Sequence, residues 1–266
     1  MKHTLLYSLV LSVSFLSACD VSTGTETDAE DDVNSGSSAG DQANYNEYVA
    51  NRNDAISVLD EFESDADLEA ALLEDAPENA TASLQGTYAI NAIDETFDDD
   101  DDDDDTRLVG DMTMDVDFGD ATVSGSLTNN FLDSDATDES KVTELDGSVA
   151  FAGTLDFDDG FYDSTNTNQW QLEASGTGTL TDNTTVASDG AQYRLDIDLN
   201  GNFYDTSDIG NVAGVGELGD VAAGGLIEGN IDVTTDGDTV IYDITGSELY
   251  GTDDDSSGFL VYELED

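Results

Sequence analysis

Residues 110–128 read GDMTMDVDFGDATVSGSLT, and their side chains alternate with a period of two on both sides of a Gly-Asp pair. A two-residue loop at Gly119-Asp120 sets Phe118 opposite Ala121, Val116 opposite Val123, Met114 opposite Gly125 and Met112 opposite Leu127. The other face then collects Asp111, Thr113, Asp115 and Asp117 against Thr128, Ser126, Ser124 and Thr122. Successive strand side chains point to opposite faces, so one apolar face and one polar face define a half-buried antiparallel hairpin. A chain built of such hairpins must bury one side of every strand.

From Ala82 onward the same texture continues as short β-branched and aromatic runs punctuated by glycine. Strands are expected near 84–93, 107–118, 121–131, 142–157, 168–181, 190–204, 211–218, 226–235, 239–249 and 257–265. A second hairpin about Asp236-Gly237 sets Val233 opposite Val240 and Ile231 opposite Tyr242, with Asp232 on the reverse face. The run 142–157 alternates Val149, Phe151, Gly153, Leu155 and Phe157 and reads as one strand. Many strands with hardly any helix between them predict an all-β domain over 82–266, either an antiparallel up-and-down β-barrel of about eight strands or a sandwich. Closure is favoured because it removes exposed edges.

The segment before the barrel has a different pattern. Over 45–80, Tyr45, Tyr48 and Val49, then Ile56, Leu59 and Phe62, then Leu68, Leu72 and Leu73 recur at three- and four-residue intervals. This predicts one long or two short amphipathic helices ending before Pro77, the only proline, and forming a cap or plug on the main domain. Residues 20–44 are small and acidic, with too little apolar surface to fold, and predict a disordered tether.

The first residues explain what such a tether would hold. Lys2 and His3 precede an apolar run from Leu5 to Leu16, a signal-peptide core much shorter than the roughly 20 residues of a spanning helix. It closes on Leu16-Ser17-Ala18-Cys19, which resembles the lipobox of bacterial lipoproteins. Residues 1–18 then form the signal peptide, and 19–44 the lipidated Cys19 with its tether. A cysteine is required at that position because its thiol takes the diacylglyceryl group, and cleavage before it frees an amine for a further acyl chain. More than one acyl chain makes a durable anchor.

Cleavage at Cys19 would remove His3, the only histidine, and leave Arg52, Arg107, Lys141 and Arg194 as the cations set against 63 carboxylates. That balance excludes direct binding of nucleic acid or anionic headgroups. Serine or cysteine nucleophiles lack an imidazole base, zinc lacks His and Cys ligands, and no glycine-rich phosphate loop with a lysine is present. Paired carboxylates could support glycoside chemistry, but among so many acids proximity is uninformative. The chain is therefore read as non-enzymatic and without a cofactor.

Two acidic stretches invite a metal reading. Asp98, Asp99, Asp100, Asp101, Asp102, Asp103, Asp104 and Asp105 form an unbroken run within a flexible loop over 94–106. Hard cations prefer oxygen ligands, but affinity needs fixed geometry, so the run is expected to be a solvated loop that gathers divalent cations nonspecifically. Residues 196–207, DIDLNGNFYDTS, open like a calcium loop but carry Ser207 where a bidentate Glu belongs. Unbroken alternation of Tyr193, Leu195, Ile197, Leu199, Gly201 and Phe203 argues instead for a strand running straight through.

The hairpin GDMTMDVDFGDATVSGSLTN, the earlier LQGTYAI at 84–90 and the later LDIDLNGNFYDTSDIGNVAGVGELG at 195–219 together resemble the transferrin-binding protein B-like β-barrel lipoproteins. Gly201, Phe203 and Tyr204 match that family's Gly-x-Phe-Tyr-Gly segment, whereas Asp205 replaces its last glycine. The resemblance covers 82–219 well and the remainder loosely. It implies a lipid-anchored barrel on a Gram-negative outer membrane, exposed at the cell surface, that captures a protein or small nutrient ligand, with iron or haem acquisition as the purpose best known in that family. Asp20, directly after the lipidated cysteine, resembles an inner-membrane retention signal and leaves that location open. Two alternatives are an acidic structural or solvating envelope lipoprotein serving salt tolerance or cation buffering and, further off, a carboxylate-dependent hydrolase.

Overall fold

The computed structural model describes residues 39–65, 73, 81–93, 106–133, 142–157, 170–182, 190–207, 211–235, 237–244 and 257–264. A helix, α1 (Ala39–Asp65), precedes eleven strands: β1 (Thr81–Ile93), β2 (Thr106–Asp117), β3 (Thr122–Asp133), β4 (Val142–Asp146), β5 (Val149–Asp156), β6 (Gln171–Asp182), β7 (Gln192–Asp205), β8 (Asn211–Val212), β9 (Gly216–Thr235), β10 (Asp238–Ile244) and β11 (Gly258–Leu264). The pairings run β1–β2–β3–β5–β6–β7–β9–β11 and back to β1, all antiparallel, so the sheet closes into an eight-membered ring. β4 and β5 share one place, both against β3, and β10 and β11 lie end to end along β9.

The expected hairpin register is the observed one: Val116 faces Val123, Met114 faces Gly125 and Met112 faces Leu127. Val116, Phe118 and Val123 are buried. The ladder stops at Asp117–Thr122, however, and 118–121 form a four-residue turn with Ala121 in the left-handed region (φ 53°). Four contacts take the place of a two-residue loop. Phe118 turns onto Trp170 and Phe203, the Asp117 carboxylate accepts from the Asp120 N–H at 3.0 Å, and the Ala121 carbonyl accepts from Leu155 N–H at 3.0 Å. Across the second hairpin, Val233 faces Val240 and Ile231 faces Tyr242, as expected.

Two strand expectations are corrected. The run 142–157 is broken at Gly147-Ser148, where Gly147 takes a φ of 126°. The runs 211–218 and 226–235 join into the long β9, with only a short β8 hairpin at its start.

Side chains of alternate residues fill the bore. Ile90, Leu108, Met112, Leu127, Leu195 and Ile231 are fully buried there, and they belong to one continuous core. Glycines make room for the rings: Phe151 lies between Gly125 on β3 and Gly176 on β6, and a Cβ at Gly125 would collide with the Phe151 ring.

The helix starts at Ala39, inside the stretch expected as tether, and it is not an end plug. Ala55, Val58 and Leu59 pack on Tyr204, Leu218, Ala222, Leu260 and Tyr262, while Tyr45 and Tyr48 pack on Val109, Phe131 and Val142. These strand residues point away from the bore, so α1 lies along the outer wall. Leu73, expected on a helix, is not helical. Its N–H donates to the Phe203 carbonyl (2.9 Å) and its carbonyl accepts from Trp170 N–H (3.2 Å), where β6 begins and β7 nears its end.

Candidate functional site at the seam between helix and ring

The most concentrated polar chemistry of the described residues lies where α1 crosses β2 and β3. Its origin is a bulge: Val109 faces Phe131 and Asp111 faces Thr128, so Gly110 alone stands against Asn129 and Asn130. Asn129 takes the left-handed conformation (φ 49°), which asparagine tolerates better than most residues. The extra residue sends the two asparagines to opposite sides of the wall.

On the outer side, Asn129 Nδ2 donates to Asp111 Oδ2 at 2.8 Å, and Asn51 Nδ2 of α1 donates to Asp111 Oδ1 at 3.0 Å. Asn44 Nδ2 donates to Glu144 Oε1 at 2.8 Å, a second polar tie between helix and ring. On the inner side, the Tyr88 hydroxyl donates to Asn130 Oδ1 at 2.5 Å, and Asn130 Nδ2 donates to the Gly147 carbonyl at 3.0 Å. The break between β4 and β5 thus presents its carbonyl to the bulge in β3.

Burial pushes the Asp111 carboxyl above its ordinary value of 3.8. The Asn51 and Asn129 amides pull the other way, and the Glu47 carboxylate adds to the rise. Burial, with a smaller contribution from Asp111, likewise raises Tyr88. The two do not form an acid–base dyad, because Asp111 lies on the outer wall and Tyr88 in the bore. Chemically, the seam can hold the helix in register and take up a proton at Asp111. A further group under α1, the Tyr262 hydroxyl, is pushed up to about 12 by burial and then by Asp54.

A second cluster is aromatic and gathers residues next to the β2–β3 turn and at the start of β6. Phe118 meets Trp170 and Phe203 edge-on, each at 5.3 Å between ring centroids, and Phe157 leans on Trp170 at 5.0 Å. The Trp170 indole N–H is buried there without an acceptor.

Cys19, Asp20 and the acidic run Asp98–Asp105 lie outside the described residues. Asp196 and Asp198 sit exposed on β7, which continues through Asn200-Gly201 as the alternation predicted. Asp205 binds its own turn, accepting from the Ser207 N–H (2.9 Å) and hydroxyl (2.6 Å). Among the described residues, no three His, Cys, Asp or Glu side chains converge in a way that could hold a metal ion. Asp111 lies on the polar face that the hairpin register predicts, opposite Thr128, whereas Asn51, Asn129 and Asn130 carry no site motif; their one signal is the Asn-Asn pair inside an otherwise alternating strand.

Fold and seam together define an all-β ring protein with a helical strap on its outer wall. No family model, no curated protein and no solved structure matches the chain.

Proposed function

We propose that this chain is a non-enzymatic bacterial envelope lipoprotein, anchored through Cys19, that presents its ring to a macromolecular partner at the cell surface. The filled bore carries this reading: apolar side chains such as Met112, Leu127 and Ile197 occupy the space where a barrel could hold a small ligand. Binding then falls to the outer wall and the connections between strands, a geometry suited to a protein partner. The Leu16-Ser17-Ala18-Cys19 signal supports the anchor. The resemblance of 82–219 to the transferrin-binding protein B-like lipoproteins supports capture of a protein, with iron or haem acquisition as its purpose.

Two measurements on cells expressing the full chain test the reading. Labelled palmitate should enter the wild type and not Cys19→Ser, and protease added to intact cells should digest the wild type. Full protection from protease, with palmitate incorporated, would refute surface capture while leaving the anchor intact.

A second reading, an acidic solvating protein of the envelope, is favoured by the carboxylates of Glu173, Asp196 and Asp198, which stand exposed on the wall of β6 and β7. It expects the fold to weaken steeply at low ionic strength, with no saturable partner.

A further inference from the structure

We infer that α1 is a strap that lifts from the outer wall as a unit while the ring stays closed, and that a proton on Asp111 holds it down. The ring is complete without the helix. Its members pair with one another all round, and the apolar cluster of the bore shares no residue with either cluster beneath α1. The helix adds a separate layer, in which Tyr45, Tyr48, Ala55 and Val58 are buried. Its Asn51 and Asn44 reach the ring through their side chains, at Asp111 (3.0 Å) and Glu144 (2.8 Å). After the helix, the backbone of Leu73 is bonded to Phe203 and Trp170, so the chain is pinned to the ring again independently of α1. A layer with its own contacts and its own ties opens at a lower free energy than the whole fold. Lifting it uncovers Val109, Phe131, Leu260 and Tyr262, an apolar strip of the outer wall.

Docking costs a carboxylate its water. Asp111 stands on the outer face of β2, beneath Asn51. Around it, α1 brings the Glu47 carboxylate, β3 the neutral Thr128 and Asn129, and β1 the neutral Thr87 on the outer side with the Tyr88 hydroxyl on the inner. β4 carries Glu144, and the cations of these elements are Arg52 on α1 and Arg107 on β2. The two amides favour the ionised carboxyl, whereas burial and Glu47 disfavour it more, so under the helix Asp111 keeps its proton above the ordinary value of 3.8. With α1 lifted, the carboxyl meets water and returns towards that value. Docking therefore takes up a proton. The strap is held most firmly below 3.8, loosens as pH rises through the raised value, and is loosest above it.

Thiol labelling of the full chain in a Cys19→Ser background tests this. A pyridyl disulfide reagent is applied to Ala55→Cys, at a fully buried position of α1, and separately to Ile197→Cys in the bore, each rate being divided by that of the same chain in urea at the same pH. Ala55→Cys should be labelled about tenfold faster than Ile197→Cys or more, because the bore opens only with the whole fold. From about pH 3.5 to about pH 7 its labelling should rise about threefold or more, and adding Asp111→Asn should flatten that rise while the β-sheet circular dichroism spectrum stays unchanged. Hydrogen exchange of the α1 amides against those of β7, in the chain without the labelling cysteines, gives the same comparison should Ala55→Cys itself loosen the helix. Equal opening of helix and bore overturns the strap. A rise with pH that survives Asp111→Asn overturns the control by Asp111 and assigns it to other carboxylates such as Glu47.

Discussion

Within the single strand β9, two stretches behave differently. From Val221 to Gly225 every residue is buried; from Ile227 to Val233 the apolar residues Ile227, Ile231 and Val233 face inward while Glu228, Asn230 and Asp232 alternate with them. The first stretch pairs with β11, where Gly258–Tyr262 are all buried, and both lie under α1. The second belongs to a bare wall shared with β6 and β7, whose buried and exposed residues alternate. A strand covered on both faces needs a continuous apolar run, whereas a strand with one wet face needs strict alternation. Loss of alternation in the sequence therefore marks where the helix lies.

The sharpest way to break this contrast is at Phe131, an outward residue that is fully buried because Tyr45 and Tyr48 of α1 close over it, at ring distances of 5.4 and 6.0 Å. Phe131→Ala is expected to cost about 3–5 kcal/mol in urea unfolding, as a core phenylalanine would. Next in size comes a matched pair of outward residues. Leu260→Ala, under the helix, should cost about 2–5 kcal/mol, while Thr177→Ala on the exposed face of β6 should stay within about 0.5 kcal/mol. Equal costs at the two positions would mean that α1 contributes no burial.

The parts legible in the sequence were those fixed by local periodicity. The register of Val116 with Val123 and of Val233 with Val240 follows from alternation plus a turn, because a one-residue slip would invert every side chain. The break at Gly147-Ser148 was hidden for a related reason: Leu145, Gly147 and Val149 keep the same parity, so the pattern runs through the interruption unchanged. Glycines near 219–225 read as punctuation between two strands. In the ring they are places of close approach, and a Cβ at Gly225 would strike the Asn200 carbonyl and Gly201. The seam was illegible because its members come from α1, β2 and β3, and only the packing of α1 on the outer wall sets Asn51 beside Asp111.

That seam supplies a titration test of the covered wall. Burial holds the Asp111 carboxyl above 3.8, so its ionisation costs the folded state stability at any pH above the raised value. The cost is relieved as pH falls through that value and is gone below 3.8. Many other carboxylates also lose their mutual repulsion in acid, so the informative quantity is the difference between wild type and Asp111→Asn. Between about pH 7 and about pH 4 the wild type should gain stability relative to the variant, which cannot take up a proton at this site. A difference independent of pH would mean that the carboxylate is fully compensated by Asn51 and Asn129.

The smallest effect is expected on the bare wall, at one of the few cations the chain possesses. Arg194 and Asp232 face each other across β7 and β9 with a guanidinium-to-carboxylate distance of 3.5 Å, and the Arg194 side chain is 63% exposed. Scarcity suggests that such a cation is indispensable to a chain with 63 carboxylates. Solvent argues otherwise, since an exposed pair gains little Coulomb energy over water and must immobilise a long side chain. Arg194→Ala should therefore shift unfolding by no more than about 1 kcal/mol at low salt, and the shift should vanish near 1 M NaCl, where screening acts within about 3 Å. A larger loss that survives high salt would show that the bare wall depends on contacts of the arginine stem, and the two halves of the ring would then differ less than their burial patterns imply.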